Sequence, residues 1–239
     1  MANKVTRILE RARRDAGEAE ARVIACHGSP AAVIATKAED YDLTVIGAKG
    51  AGAGSNAGLG PVASRVAEHA TDPILIGREL RSESGTRVLI AADGSNASLS
   101  AIRTLTSLFD LDGSEITLMH VAETPWVHVA LEDEWDTYDE AEKDATEAGI
   151  FEKEMTREGE IIVEQARDLV GGAGASVETI LEQGNPAEEI LSEADRGQYD
   201  LVVAGASGTR DLKHSMLGSV SAKIAWNAPC SVLIVREPE

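Results

Sequence analysis

The sequence predicts an α/β fold: a five-stranded parallel sheet flanked by helices, preceded by a partial copy of the same arrangement. Three observations lead there. Short apolar runs alternate with helical periodicity throughout residues 84–239, the pattern of parallel strands joined by crossover helices. Two of these runs, LVVAG at 201–205 and VLIV at 232–235, are apolar at almost every position, as in strands buried on both faces. The third observation is an internal repeat. Tyr41-Asp42-Leu43 matches Tyr199-Asp200-Leu201, and Gly47, Gly50 and Gly60 match Gly205, Gly208 and Gly218. Ile74-Leu75-Ile76 matches Val232-Leu233-Ile234, and Arg78 matches Arg236, all at an offset of 158. Gly28-Ser29-Pro30 matches Gly184-Asn185-Pro186 after one small indel.

Each element has its own signal. Residues 86–92 (TRVLIAA) form a strand that ends at the turn Asp93-Gly94-Ser95. A helix follows over 96–110, with Ser95 or Asn96 as its N-cap. Residues 115–121 (EITLMHV) are the second strand. The acidic stretch 124–150 reads as a loop running into a helix that lasts to about Val170, and 176–181 is the third strand. Pro186 opens a helix reaching Arg196, at a position where its missing N–H is harmless. Residues 200–205 form the fourth strand, 219–227 a helix and 231–236 the fifth strand.

The first copy, residues 1–80, has only the later part of this plan. Its expected elements are helices at 4–17, 30–39 and 61–70 and strands at 21–26, 42–47 and 73–77. Counterparts of the first strand, first helix and second strand are missing. Either the true start is upstream, or the fragment completes its sheet against another surface.

Composition bounds the function. Of 239 residues, 43% are hydrophobic but only 3% aromatic, so Val, Ile, Leu and Ala must fill the core. Asp plus Glu total 41 against 22 Lys plus Arg, a formal charge of −19. Such a surface repels nucleic-acid backbones and anionic membranes. No apolar run approaches the ~20 residues of a membrane span, so a cytoplasmic protein is expected. Cys26 and Cys230 are expected to be free thiols.

The repeated glycine loop is the strongest functional signal. It follows a strand and precedes a helix, where parallel sheets take their ligands. A helix N-terminus there carries unpaired N–H groups and a partial positive charge. Gly205 and Gly208 would shape the strand exit, while Gly218, Ser219 and Val220 would present N–H groups to phosphate oxygens. There is no GxxxxGK[ST] motif. The GxGxxA match at 52–57 lacks the acidic residue a dinucleotide site needs.

The spacing Gly205-x2-Gly208-x9-Gly218-Ser219 resembles the ATP-binding signature of the universal stress protein family. Further points of resemblance are Ala92-Asp93-Gly94-Ser95, Leu118-Met119-His120-Val121, Gly184-Asn185-Pro186 and the closing run from Ala228 to Val235. The resemblance covers residues 84–239, with 20–78 as an incomplete second copy. It implies the adenine-nucleotide α-hydrolase-like fold with strand order 3-2-1-4-5, and pairing along the last strands, either in a homodimer or between the two copies of one chain. It implies ATP, or ADP or AMP, as ligand, with Mg²⁺. Asp93 would hold the ribose or a nucleotide-bound metal, Ala91 and Ala92 would flank the sugar, and the Val121 backbone would read adenine. Gly205, Gly208, Gly218, Ser219 and Val220 would hold the phosphates, with Arg210 and Lys213 as further phosphate contacts. The implied role is stress-response regulation. The alternatives are a cytosolic regulatory module of a membrane transporter and a slow nucleotide hydrolase, although no general base beyond Asp93 is evident. In the first copy Pro61 replaces the serine, removing a hydroxyl and an N–H, so that copy is expected to bind nucleotide weakly or not at all.

Other signals have plainer readings. The five histidines lack metal-ligand spacing, and His120 reads as a packed core residue. Asp93, Ser95 and His214 form no convincing triad, since Ser95 reads as a cap. Residues 132–154 read as a solvated helix face, and Trp126 and Trp135 as a possible cover for a ligand or partner.

Overall fold

A computed structural model describes residues 22, 24–50, 58–78, 86–123, 147–209 and 217–237. The elements in chain order are α1 (Pro30–Ala38), β1 (Thr44–Gly47), α2 (Pro61–His69), β2 (Ile74–Gly77), β3 (Arg87–Ala91), α3 (Asn96–Leu108) and β4 (Glu115–Ala122). They continue as α4 (Glu147–Val170), β5 (Ser176–Gln183), α5 (Pro186–Arg196), β6 (Leu201–Gly205), α6 (Ser219–Asn227) and β7 (Ser231–Val235).

All seven strands form one sheet in the order β1-β2-β7-β6-β3-β4-β5. Its larger part, β3 to β7, is wholly parallel and has the order 3-2-1-4-5 when its strands are counted along the chain. The remaining two strands come from the N-terminal repeat. β1 and β2 pair in parallel, and β2 joins β7 antiparallel, with Ile74 opposite Ile234 and Ile76 opposite Val232. The closing strands of the two repeats thus lie side by side, and the sheet has seven strands where the second copy alone has five.

The strand chemistry follows position. β6 and β7 are buried at every residue, as expected of central strands covered on both faces. β5 is one edge of the sheet, largely exposed, and carries Glu178 and Glu182, charges that discourage further pairing. Helices begin where capping permits. Ser95 Oγ accepts from Ser98 N–H at 3.1 Å, and Asn185 Oδ1 accepts from Glu188 N–H at 3.3 Å. Pro30, Pro61 and Pro186 each open a helix.

Two core layers flank the sheet. One packs Val66, Ile74, Ile76, Leu89, Met119, Val202, Ile224 and Ile234 together with residues of α1, α2, α5 and α6. The other packs Val88, Ile90, Leu118, Val203 and Val235 against Ile102 and Leu105 of α3 and Ile162 of α4. Cys230 is fully buried and Cys26 exposed, both as free thiols. Among the described residues no helix is long and apolar enough to cross a membrane.

Of the expected strand at 21–26, the described residues 22 and 24–26 form no strand. Residues 22 and 24–27 have no strand pairing and are exposed. Its counterpart in the second repeat, β5, pairs with β4, and among the described residues of the first repeat no strand stands in the place of β4 for it to pair with. The same absence separates two tyrosines at one repeat position. Tyr199 is 3% exposed, whereas Tyr41 is 51% exposed. The expected helix at 4–17 and the expected loop at 124–146 with Trp126 and Trp135 fall outside the described residues.

Candidate functional site

A cavity of about 470 Å³ opens at the carboxyl ends of β3, β4 and β6, facing the N-terminus of α6. Ala91, Ala92, Asp93, Val121, Gly205, Gly208, Gly218, Ser219 and Val220 all line it. The register explains this convergence. Ala91 sits opposite Met119 on β4, and Ile90 sits opposite Val203 on β6, so β3 and β6 end close together while β4 runs on to Ala122 beside them. Arg210, Lys213 and His214 fall outside the described residues.

Asp93 is held by its own turn. Its Oδ1 accepts from Ser95 N–H at 3.0 Å and from Ser95 Oγ–H at 2.6 Å. Its Oδ2 sits beside the glycine loop: a Cβ on Gly208 would come 3.0 Å from that oxygen. Glycine at 208 therefore allows loop and carboxylate to approach. Gly205 also lines the cavity, but packing is what requires it. A Cβ there would lie 2.6 Å from Ser98 N and 2.8 Å from Ala97 C, so the first turn of α3 could not rest against the end of β6.

At the mouth of α6 one expectation is corrected. The Gly218 N–H donates to the Ala206 carbonyl at 2.7 Å and is therefore not available to a ligand. The turn that makes this bond places Gly218 as N-cap, and α6 begins at Ser219 without a side-chain cap. The amides of Ser219 and Val220, in the first helical turn, have no intrahelical acceptor and line the cavity. The helix dipole adds a partial positive charge at the same point. Ser221 Oγ–H is turned inward to the Gly205 carbonyl at 2.5 Å.

The first repeat copies this turn. Gly60 N–H donates to the Ala48 carbonyl at 2.7 Å, as Gly218 does to Ala206. Pro61 then occupies the position of Ser219 and has no N–H to offer. No strand pairs with β1 on its outer side among the described residues, so the wall that β3 and Asp93 supply in the second repeat has no equivalent there.

Several lining residues escaped the sequence reading. His120, expected in the core, is half-buried and lines the cavity, with Nδ1 2.8 Å from the Ala92 carbonyl. That bond makes Nδ1 the donor and turns the opposite edge of the ring toward Gly159, where a Cβ would lie 3.0 Å from His120 Cδ2. Helix α4 contributes Met155, Glu158 and Ile162. Their spacing of three and four residues puts them on one helix face, and this was the available signal. Ser207 and Thr209 complete the loop side.

The cavity therefore has two characters. Met119, Val121, Pro186, Ile190 and Ile224 form apolar walls, and Asp93, His120, Glu123, Glu158, Ser207, Thr209 and Ser219, with the first-turn amides of Ser219 and Val220, form the polar part. Such a site suits a ligand with a flat apolar portion and an anionic tail. For a metal the protein alone supplies little. Among the described residues no group of three or more His, Cys, Asp or Glu is placed to hold one.

Comparison with known proteins agrees with this architecture. The universal stress protein family model matches residues 2–78 and again residues 85–236. A universal stress protein of Bacillus subtilis is 33% identical over 150 residues, covering 63% of this chain and 98% of that protein. One from Methanocaldococcus jannaschii is 27% identical over 154 residues, covering 64% of this chain and 83% of its own. The crystal structure of a universal stress protein from Archaeoglobus fulgidus superimposes with a TM-score of 0.66 at 20% identity, over 98% of this chain and 77% of that one, a likeness of fold. With the family matched along nearly its whole length in two successive segments, the chain belongs to the universal stress protein family.

Proposed function

We propose that residues 84–239 are a complete nucleotide-binding domain and residues 1–80 a partial copy that binds no nucleotide. The ligand in this reading is ATP or a related adenine nucleotide, and the protein is a stress-response regulator whose state follows nucleotide occupancy. One observation supports the reading above others: unpartnered amides at Ser219 and Val220 face the same cavity as Asp93 and the apolar wall of Val121.

In this reading the base lies against Met119, Val121, Pro186 and Ile190, with the Val121 backbone giving hydrogen-bond selectivity. Ala91 and Ala92, small and at the strand end, leave room for the sugar. The phosphates rest on Gly208, Ser219 and Val220, favoured by the dipole of α6. Mg²⁺ would arrive with the phosphates, since this ion is commonly held by one or two carboxylates plus phosphate oxygens, and Asp93 is the carboxylate whose Oδ2 lies beside Gly208. Gly218 contributes the turn and Gly205 the close packing that bring these groups together. The overall charge of −19 opposes an anionic ligand at long range; salt screens that term, while the helix terminus acts locally.

The direct test is to denature freshly purified protein and identify what is released by mass spectrometry, then to titrate ATP into the nucleotide-free protein. An adenine nucleotide in the released fraction, together with saturable ATP binding, supports the reading. Recovery of a flavin or nicotinamide cofactor overturns it.

A further inference from the structure

The cavity does not end at Asp93. A second, more open groove of about 380 Å³ continues between α4 and the β3–α3 turn, sharing Asp93, Glu158, Ile162 and Thr209 with the first. It includes none of Met119, Val121 or Ile190, the apolar residues of the first cavity. The groove is thus an extension from the loop side, next to the polar groups that suit an anionic tail.

Arg157 stands on its wall. Helix α4 presents Glu154, Arg157, Glu158 and Ile161 to the groove at helical spacing. The arginine is exposed, and among the described residues no carboxylate pairs with it. It is also the one Lys or Arg lining either space among the described residues. Every other charged residue in the groove is acidic: Asp93, Glu154 and Glu158. Among the described residues, an anionic chain leaving the glycine loop past Asp93 would meet repulsion from these three carboxylates and attraction from the Arg157 guanidinium.

Resting on the nucleotide reading above, we infer that Arg157 is a specificity-determining residue that reads the outer phosphates, so that the site prefers adenosine di- and triphosphates to the monophosphate. A guanidinium suits the task because its planar fork donates two parallel hydrogen bonds to phosphate oxygens. The first phosphate is held without it, by the Ser219 and Val220 amides of α6. Removing Arg157 therefore affects ligands according to the length of their phosphate chain.

Calorimetric titration of AMP and of ATP with Mg²⁺ into the full chain tests this, using wild type, Arg157→Ala, Arg157→Lys and Glu154→Gln. The wild type is expected to bind ATP more tightly than AMP. Arg157→Ala should weaken ATP by about tenfold and leave AMP within about twofold, the loss of one charge-assisted contact at the outer phosphates. Arg157→Lys should recover part of the loss, keeping charge but not the fork. Glu154→Gln, which removes a nearby negative charge, should tighten ATP alone. Equal effects of Arg157→Ala on both ligands, or no effect on either, overturn the assignment and leave the nucleotide reading standing. A wild-type chain that binds neither nucleotide overturns both.

Discussion

Arg78 and Arg236, 158 positions apart in the two repeats, each reach across the β2–β7 junction to the helix end of the other repeat. Arg78 Nη2 donates to the Ala225 carbonyl at 2.6 Å and Nη1 to the Cys230 carbonyl at 3.2 Å, at the end of α6. Arg236 Nη2 donates to the Ala67 and Glu68 carbonyls at 3.0 and 3.1 Å, and its Nε donates to the Ala70 carbonyl, at the end of α2. Ala67 and Ala225 are themselves repeat equivalents. The contact is therefore self-complementary, as in a two-fold dimer, although one chain makes both halves. Burial lowers the pKa of both guanidinium groups, and the helix-end carbonyls, at the negative pole of each dipole, compensate.

Replacing either arginine by alanine strips these carbonyls of donors in a partly buried seam. Each single variant should lose about 1–3 kcal/mol of stability. Urea denaturation should show a lower midpoint, with Arg236→Ala costing at least as much as Arg78→Ala because it removes more bonds. An unchanged midpoint in both would mean the two repeats do not stabilise each other through this contact.

Gly205→Ala tests the packing at the floor of the site. The new Cβ would lie 2.6 Å from Ser98 N, a backbone atom of α3 that cannot move without displacing the helix. A loss of about 1–3 kcal/mol is expected, read as a lower melting temperature. Among the described residues, Gly208→Ala meets the Asp93 side chain alone and should destabilise less while still weakening ligand binding.

Gly218→Asp places a carboxylate at the N-cap of α6. Aspartate is a good capping residue, so the fold should hold or gain slightly, while its charge opposes phosphate at the same spot. ATP binding measured by calorimetry should fall below detection with the melting temperature maintained. Substantial remaining affinity would point to a working site in the first repeat, against the reading drawn from Pro61.

Tyr199 offers a test by pH. Burial raises the pKa of its hydroxyl, which donates to Glu193 Oε1 at 3.1 Å and lies 2.8 Å from the Thr117 hydroxyl oxygen. A phenol with a raised folded-state pKa is stabilising below the unfolded value of 10.0. That contribution is lost as the pH rises beyond it, because the unfolded chain releases the proton first. Stability should therefore decline above about pH 10, and Tyr199→Phe should be less stable at neutral pH but show a shallower alkaline decline. Parallel alkaline curves for the two proteins would remove Tyr199 from the explanation.

The residues alone determined the parallel sheet, the duplicated glycine turn and the group of side chains at the strand ends. These are local matters: apolar runs, proline and serine at helix starts, and a fixed repeat offset. The described residues of the strand expected at 21–26 form none, because a strand depends on its neighbour, and no described strand of the first repeat stands beside them. Only the tertiary structure showed that the Gly218 amide is satisfied by Ala206, that His120 and one face of α4 line the cavity, and that Arg78 and Arg236 bind the two repeats reciprocally. Those outcomes depend on which groups meet across the folded chain, through hydrogen bonds and contacts between residues up to 169 positions apart, and no local pattern encodes such distances.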